Sequence, residues 1–310
     1  MTTVTTRFTP RYSYQEILDN SKQVAWREDD VLANRQFDFS KRFLPNSLTG
    51  VDEIDCLKAD EKTRLNQIMG NAYCHIFAYV EEFIIPTVME EALDDVHGDE
   101  VRLRSLLRFS EEELKHQELF RRSIALFAEG IGFDMDLIPD REAVAEVVRS
   151  KSKLAVLMLT SIIEWFTQVH YTEHVLGEED LDGLFRDLLK YHWLDEAQHA
   201  KLDTLLIGEM AGETTLEERE RAIDEVLELG GAIDGLLLQQ IGMNIDALEV
   251  AVGRRFSTGE RAEITSKTQH AWRWTFLVSG LRHPNVVRLV GEITVDGRDK
   301  IEAAAVALSA

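Results

Sequence analysis

Two glutamates and two short Glu-x-x-His motifs recur at matched positions along the chain. Glu81 precedes Glu113-Leu-Lys-His116, and Glu164 precedes Glu196-Ala-Gln-His199 at the same separation. On a helix, Glu-x-x-His sets a carboxylate and an imidazole on one face. Four carboxylates and two imidazoles repeated in this way form the ligand set of a dinuclear metal site inside a four-helix bundle. Such a pair of ions does redox or oxygen chemistry that side chains alone cannot do. One Glu-x-x-His on an acidic helix is commonplace; two copies, each following an inward glutamate, carry the argument.

The elements that must hold these residues read as helices almost throughout. Only five prolines occur, and 45% of the residues are hydrophobic, enough for a packed core. A short leading helix is expected over 12–26 and an irregular segment over 27–57. Long helices follow over 59–95, with Pro86 as a kink, and over 100–130 after a turn at His97-Gly98-Asp99. The stretch from Gly130 to Pro139 ends the second and leads to a third over 141–176, closed by Gly177. A fourth runs over 180–210, and further helices over 215–252 and 258–281 precede a short tail element after Pro284. The expected fold is all-α: a ferritin-like four-helix bundle with extra N- and C-terminal helices. It reads as one domain over 1–310, with the core at about 59–210 and a C-terminal extension at about 215–310.

Helical phase tests which residues face inward. Cys74, Phe77, Ala78, Ile84, Ile85, Val88 and Ala92 share the sector of Glu81, whereas Glu82 sits with Asn71, His75 and Met89. Glu81 is therefore the inward residue. Glu113 shares its face with Phe109, His116 and Phe120, and Glu196 with His192, His199 and Asp203. Around Glu164 lie Thr160, Ser161, Thr167 and Gln168, a smaller and more polar face. Glutamates at the centres of apolar faces need compensating positive charge, which two divalent ions would supply. Four carboxylates with imidazoles suit iron or manganese; structural zinc would use fewer ligands, usually with sulfur.

His192 breaks the repeat. It lies four residues before Glu196 on the same face, and the equivalent place before Glu113 is Phe109. Beside a metal pair, ligation is the better reading than a core histidine bonded to a backbone carbonyl. The frame His192-Trp-Leu-Asp-Glu196-Ala-Gln-His199, with Glu81, Glu113, His116 and Glu164, resembles the p-aminobenzoate N-oxygenase-like diiron oxygenases of the ferritin-like superfamily. The motif-bearing similarity covers roughly 60–210. The resemblance implies a non-haem diiron monooxygenase with two Fe ions (Mn/Fe is the variant) and O2 as co-substrate. Its substrate would be an aromatic or other small amine, N-oxygenated toward hydroxylamine and nitro products. An external electron donor such as a ferredoxin or a reductase, and a homodimer, are implied with it.

Residues around this set have weaker signals. Asp203, four after His199, is placed to accept that ring's second N–H, while Asp195 reads as solvated surface. Thr160 and Gln168, with Ser161 and Thr167, offer either a substrate wall or close helix packing. Tyr73 is expected to border the pocket. Arg273, between Trp272 and Trp274, either anchors a substrate carboxylate or stacks on tryptophan in the core.

Composition narrows the partners. A net charge of −22 argues against nucleic acid and is compatible with a basic redox partner or simply a self-repelling surface. Met1 to Pro10 have no apolar stretch flanked by basic residues, and no run of about eighteen apolar residues occurs, so neither a secretory signal nor a membrane span is expected. Cys56 and Cys74 are too few for a disulfide framework and fit a cytoplasmic location. Three alternatives share the bundle. A C–H hydroxylase or desaturase uses nearly the same ligands. A ribonucleotide reductase small subunit commonly carries a radical tyrosine four residues after the first motif histidine, where this chain has Phe120, and its tail needs an aromatic that Glu302–Ala310 lacks. Ferritin-like storage chains are usually shorter.

Overall fold

The computed structural model describes residues 10–135, 137 and 141–309. Residues 1–9, over which no secretory signal is expected, and Pro139, expected to help end the second helix, lie outside the described residues. Helix α1 (Tyr14–Val24) is followed by an irregular segment with short turns at Glu28–Leu32 and Asn46–Thr49. The bundle helices are α2 (Ala59–Asp94), α3 (Glu100–Ile131), α4 (Lys153–Val169) and α5 (Gly183–Glu213). The extension contains α6 (Leu216–Val252), α7 (Thr258–Arg273), α8 (Pro284–Ile293) and α9 (Val295–Leu308). Among the described residues, extended pairing is confined to one bridge between Arg42 and Leu181. The fold is thus all-α with a four-helix core, as the periodicity required.

Side-chain caps set the helix starts. Asp99 accepts from the Val101 and Arg102 amides at the head of α3, and Asp182 accepts from Phe185 N at 2.6 Å at the head of α5. Thr215 with Glu218, and Ser257 with Glu260, form capping boxes on α6 and α7. Gly132 closes α3 at φ 86°, a conformation that glycine adopts without steric cost. Pro86 lies within α2, which continues unbroken on both sides of it.

Three boundaries differ from expectation. The third long helix is two: Arg141–Arg149, then α4, separated at Ser150–Ser152, where Ser152 caps α4 through Ala155 N. Both α4 and α7 end in π-helical turns, His170–Val175 and Trp274–Val278. The single tail element after Pro284 is the pair α8 and α9, divided at Thr294.

Helix pairs α2–α3 and α4–α5 are the two hairpins of the bundle, and α6 crosses α2 and α4 on the side away from α3 and α5. One apolar cluster joins Tyr73 and Phe77 of α2 to Leu237 and Ile241 of α6, and another joins Leu157 of α4 to Ile223, Val286 and Ile301. The helices of the core thus pack on the extension as well as on one another. No helix among the described residues is long and apolar enough to cross a membrane.

Candidate metal centre

The bundle brings Glu81 from α2, Glu113 and His116 from α3, and His192, Glu196 and His199 from α5 into one buried cluster. Their donor atoms fall into two groups: Glu81, His116, His192 and Glu196; and Glu113, His116, Glu196 and His199. His116 and Glu196 belong to both. Glu196 Oε1 lies 2.6 Å from His192 Nε2 and 3.1 Å from His116 Nδ1, and its Oε2 lies 3.4 Å from His199 Nδ1. Glu81 Oε1 is 3.0 Å from His192 Nε2, and Glu113 Oε1 is 3.0 Å from His199 Nδ1. As helical phase required, Glu82 is outside, half-buried beside Arg121 at 3.4 Å.

Glu164, the seventh expected residue, is buried on α4 with Oε2 lacking a hydrogen-bond partner, but it falls outside both groups. The expected distinction between His192 and Phe109 is visible in space. His192 contacts two carboxylates, whereas the ring of Phe109 packs 4.2 Å from that of His199. Phe77 and Phe120 close the other sides of His192 at 5.0 and 4.9 Å.

Two residues of the arrangement were not selected from the sequence. His116 Nε2 donates to Asp195 at 3.0 Å, and His199 Nε2 donates to Glu112 at 3.1 Å. Each acid stands one residue before a motif glutamate and serves the histidine of the opposite helix. Asp195 is fully buried, so its reading as solvated surface is corrected; Lys115 pairs with it at 2.6 Å. Asp203 is corrected too. It is buried, but neither of its oxygens has a hydrogen-bond partner, and Glu112 takes the proton assigned to it. The available signal was the acidic residue preceding both motifs, Glu112-Glu113 and Asp195-Glu196.

Electrostatics show what the cluster requires. Burial pushes Glu81 well above the usual carboxylate range, and the charge of Glu113 adds to it. Burial opposes charge on Glu196 as well, yet His199 and His116 hold it at about 2. Burial likewise opposes charge on His116 and His199, but the surrounding carboxylates hold both well above the ordinary imidazole range. His192 moves the other way, pushed well below that range by burial and by its positive neighbours. Asp203 is pushed up by burial. The carboxylates therefore stabilise positive charge at the centre, from imidazolium or from a bound cation.

The donor set fits a pair of cations. Glu81 Oε2, both Glu113 oxygens and the Nδ1 atoms of His116 and His199 are buried without hydrogen-bond partners. Asp195 and Glu112 occupy the opposite ring nitrogens, leaving both Nδ1 atoms directed at the carboxylates. Soft sulfur donors are absent: Cys74 belongs to neither group.

The residues expected to meet substrate belong to neither donor group and have partners within the fold. Tyr73 is packed on Phe77 and donates its hydroxyl to His170 Nδ1 at 3.0 Å. Thr160 bonds back to the Val156 carbonyl at 3.0 Å, and Gln168 points its amide at the Glu164 carbonyl at 3.5 Å. Arg273 is neither a carboxylate anchor at the centre nor a stacked core cation: its guanidinium forks onto Asp234 at 2.7 Å through two bonds. A cavity of about 270 Å³ opens instead between α2, α4, α6 and α9, where α4 contributes Leu159, Ile162, Ile163 and Phe166.

No family model matches the chain, and no curated protein matches it. Among solved structures, a variant of an R2-like ligand-binding oxidase with a non-activated Mn/Mn cofactor is similar at 16% identity and TM-score 0.46. Two further variants, with anaerobically reconstituted Mn/Fe cofactors, are similar at 15% and 17% identity, with TM-scores 0.48 and 0.47. In all three, the match covers 85% of this chain and 93% of the other.

Proposed function

We propose that this chain is a non-haem dimetal oxidase that activates O2 and N-oxygenates an aromatic or other small amine. The observation that carries the metal reading is the pair of buried donor groups sharing His116 and Glu196. Glu81, Glu113, His116, Glu164, His192, Glu196 and His199 would hold two Fe ions, or one Mn and one Fe. Bound there, the metal pair supplies the electrons and open coordination positions needed to activate O2.

The chain's own residues set the conditions for that chemistry. Asp195 and Glu112 keep the Nε2 protons of His116 and His199 in place, which fixes tautomer and ring orientation. Phe77, Phe109 and Phe120 pack around the imidazoles and exclude water from them. Oxidation of an amine to a hydroxylamine consumes one O2, two electrons and two protons; one oxygen atom enters the product and the other leaves as water. An external donor such as a ferredoxin or reductase must supply those electrons. The N-oxygenation reading is supported by the His192–Glu196–His199 frame, and we extend it to a homodimeric cytoplasmic protein in which bundle and extension form one domain.

Metal analysis tests the reading. Reconstitution should give two Fe, or one Mn and one Fe, per chain, and Glu196→Ala should lose both because Glu196 belongs to both groups. Two tightly held zinc ions with no O2 uptake after anaerobic reduction would overturn it.

A further inference from the structure

We propose that the apolar cavity beside the centre is the substrate site and that it selects a neutral aromatic amine carrying no acid group. The amine part rests on the functional reading above; the selection against charge rests on the cavity itself. Val80, which immediately precedes Glu81, and Ile163, which immediately precedes Glu164, both line it. Phe77 lines it as well and packs its ring 5.0 Å from that of His192. The cavity therefore lies one side chain away from the donor cluster.

Among the described residues, every side chain lining this space is apolar. The cavity opens to solvent past Gly231 and Ala307, which are exposed. At its inner end, against Phe77 and Ile162, a carboxylate or an alkylammonium would be buried without a partner, which disfavours either ion there. Arg273, the cation that the sequence offered as an anchor, is engaged by Asp234 and lines a separate surface groove. An aromatic amine meets the requirement because its nitrogen lone pair is delocalised into the ring, leaving it uncharged at neutral pH. Size agrees. A protein cavity of about 150 Å³ holds benzene, so about 270 Å³ suits a bicyclic ring system.

The walls supply a test that leaves the centre untouched. Gly230 on α6 lines the cavity and a Cβ added there meets nothing within 4 Å; Ala304 lines it from α9. Leucine also favours helix over glycine, so Gly230→Leu should fill space without breaking α6. Equilibrium dialysis of the full-length protein, with and without reconstituted iron, would compare 1-aminonaphthalene with 4-aminonaphthalene-1-carboxylate. The neutral amine should bind at least tenfold more tightly than the acid. Gly230→Leu and Ala304→Phe should each weaken it at least tenfold, with helical circular dichroism and iron content unchanged. Equal binding of the two compounds would overturn the proposal, as would undiminished binding in both well-folded filled variants. Selective amine binding by a chain that takes up no iron would uphold the cavity assignment and defeat the oxidase reading. Iron uptake without amine selectivity would do the reverse.

Discussion

At the residue scale, the two acids behind the histidines offer a sharp prediction. Glu112 accepts from His199 and is itself held by Ser21 Oγ at 2.6 Å and Arg108 at 2.9 Å, so α1 and α3 both brace it. Glu112→Ala should weaken metal binding roughly 10- to 100-fold, the usual effect of losing such a partner. Glu112→Gln should recover most of that loss, because an amide oxygen still accepts the Nε2 proton. Competition titration with a coloured chelator would read both, and equal loss in the two variants would remove the hydrogen-bond explanation. The six clustered ligands were legible because spacing and helical phase together specify which side chains converge. Their supports were not. A helical wheel places Asp203 on the ligand face and Asp195 off it, but Asp195 meets His116 of α3, a neighbour that no single-helix projection contains.

At the scale of elements, the residues expected to meet substrate were each chosen from one helix taken alone. Phase around Glu164 singled out the polar side of α4, with Thr160 and Gln168, as the inward face. However, Leu154 to Phe166 are apolar on nearly every side, a pattern of helices buried between two layers. The structure bears this out: α4 packs on α5 and also on α6 and the turn after α7. Its cavity-lining face looks toward the extension. The break before α4 was also legible in hindsight, since Ser152 is a strong N-cap residue. It additionally donates its backbone N–H to Glu225 of α6 at 2.9 Å, and its hydroxyl bonds the same carboxylate. Ser152→Ala, which keeps the backbone bond but removes both hydroxyl bonds, should therefore cost about 1–2 kcal/mol in urea unfolding, and no change in midpoint would show that neither hydroxyl bond matters. Gly280 marks a close approach between the two layers. An added Cβ would sit 2.6 Å from Ile162 Cγ2 and 2.7 Å from the Ile162 carbonyl oxygen. Gly280→Ala should destabilise by about 1–3 kcal/mol, because the backbone itself must shift; a neutral result would mean that the layers separate easily.

Across the whole molecule, one buried histidine ties the bundle to its extension. His170 sits in the π-helical turn after α4; its Nε2 donates to the Thr275 carbonyl at 2.8 Å, in the π-helical turn after α7. A carbonyl can only accept, so Nε2 carries the proton of the neutral ring, and Nδ1 accepts from the Tyr73 hydroxyl of α2. Protonating Nδ1 would turn that acceptor into a donor inside the core. Burial accordingly pushes His170 down to about 3, against about 6.5 in an unfolded chain. Between these values only the unfolded chain takes up the proton. Stability should therefore fall as pH drops below about 6.5, by up to about 1.4 kcal/mol per pH unit from this residue, and be unaffected by it at higher pH. His283, pushed down to about 4 by burial, acts in the same direction but is unchanged in a His170 variant. Comparing urea midpoints of the wild type and His170→Gln between pH 7 and pH 4.5 reads the effect of His170 together with its weaker charge coupling to His174 and His192. The variant should be less stable at pH 7, having lost both bonds, yet lose stability more slowly on acidification. Parallel pH dependence in the two proteins would show that His170 does not couple core and extension through its neutral form.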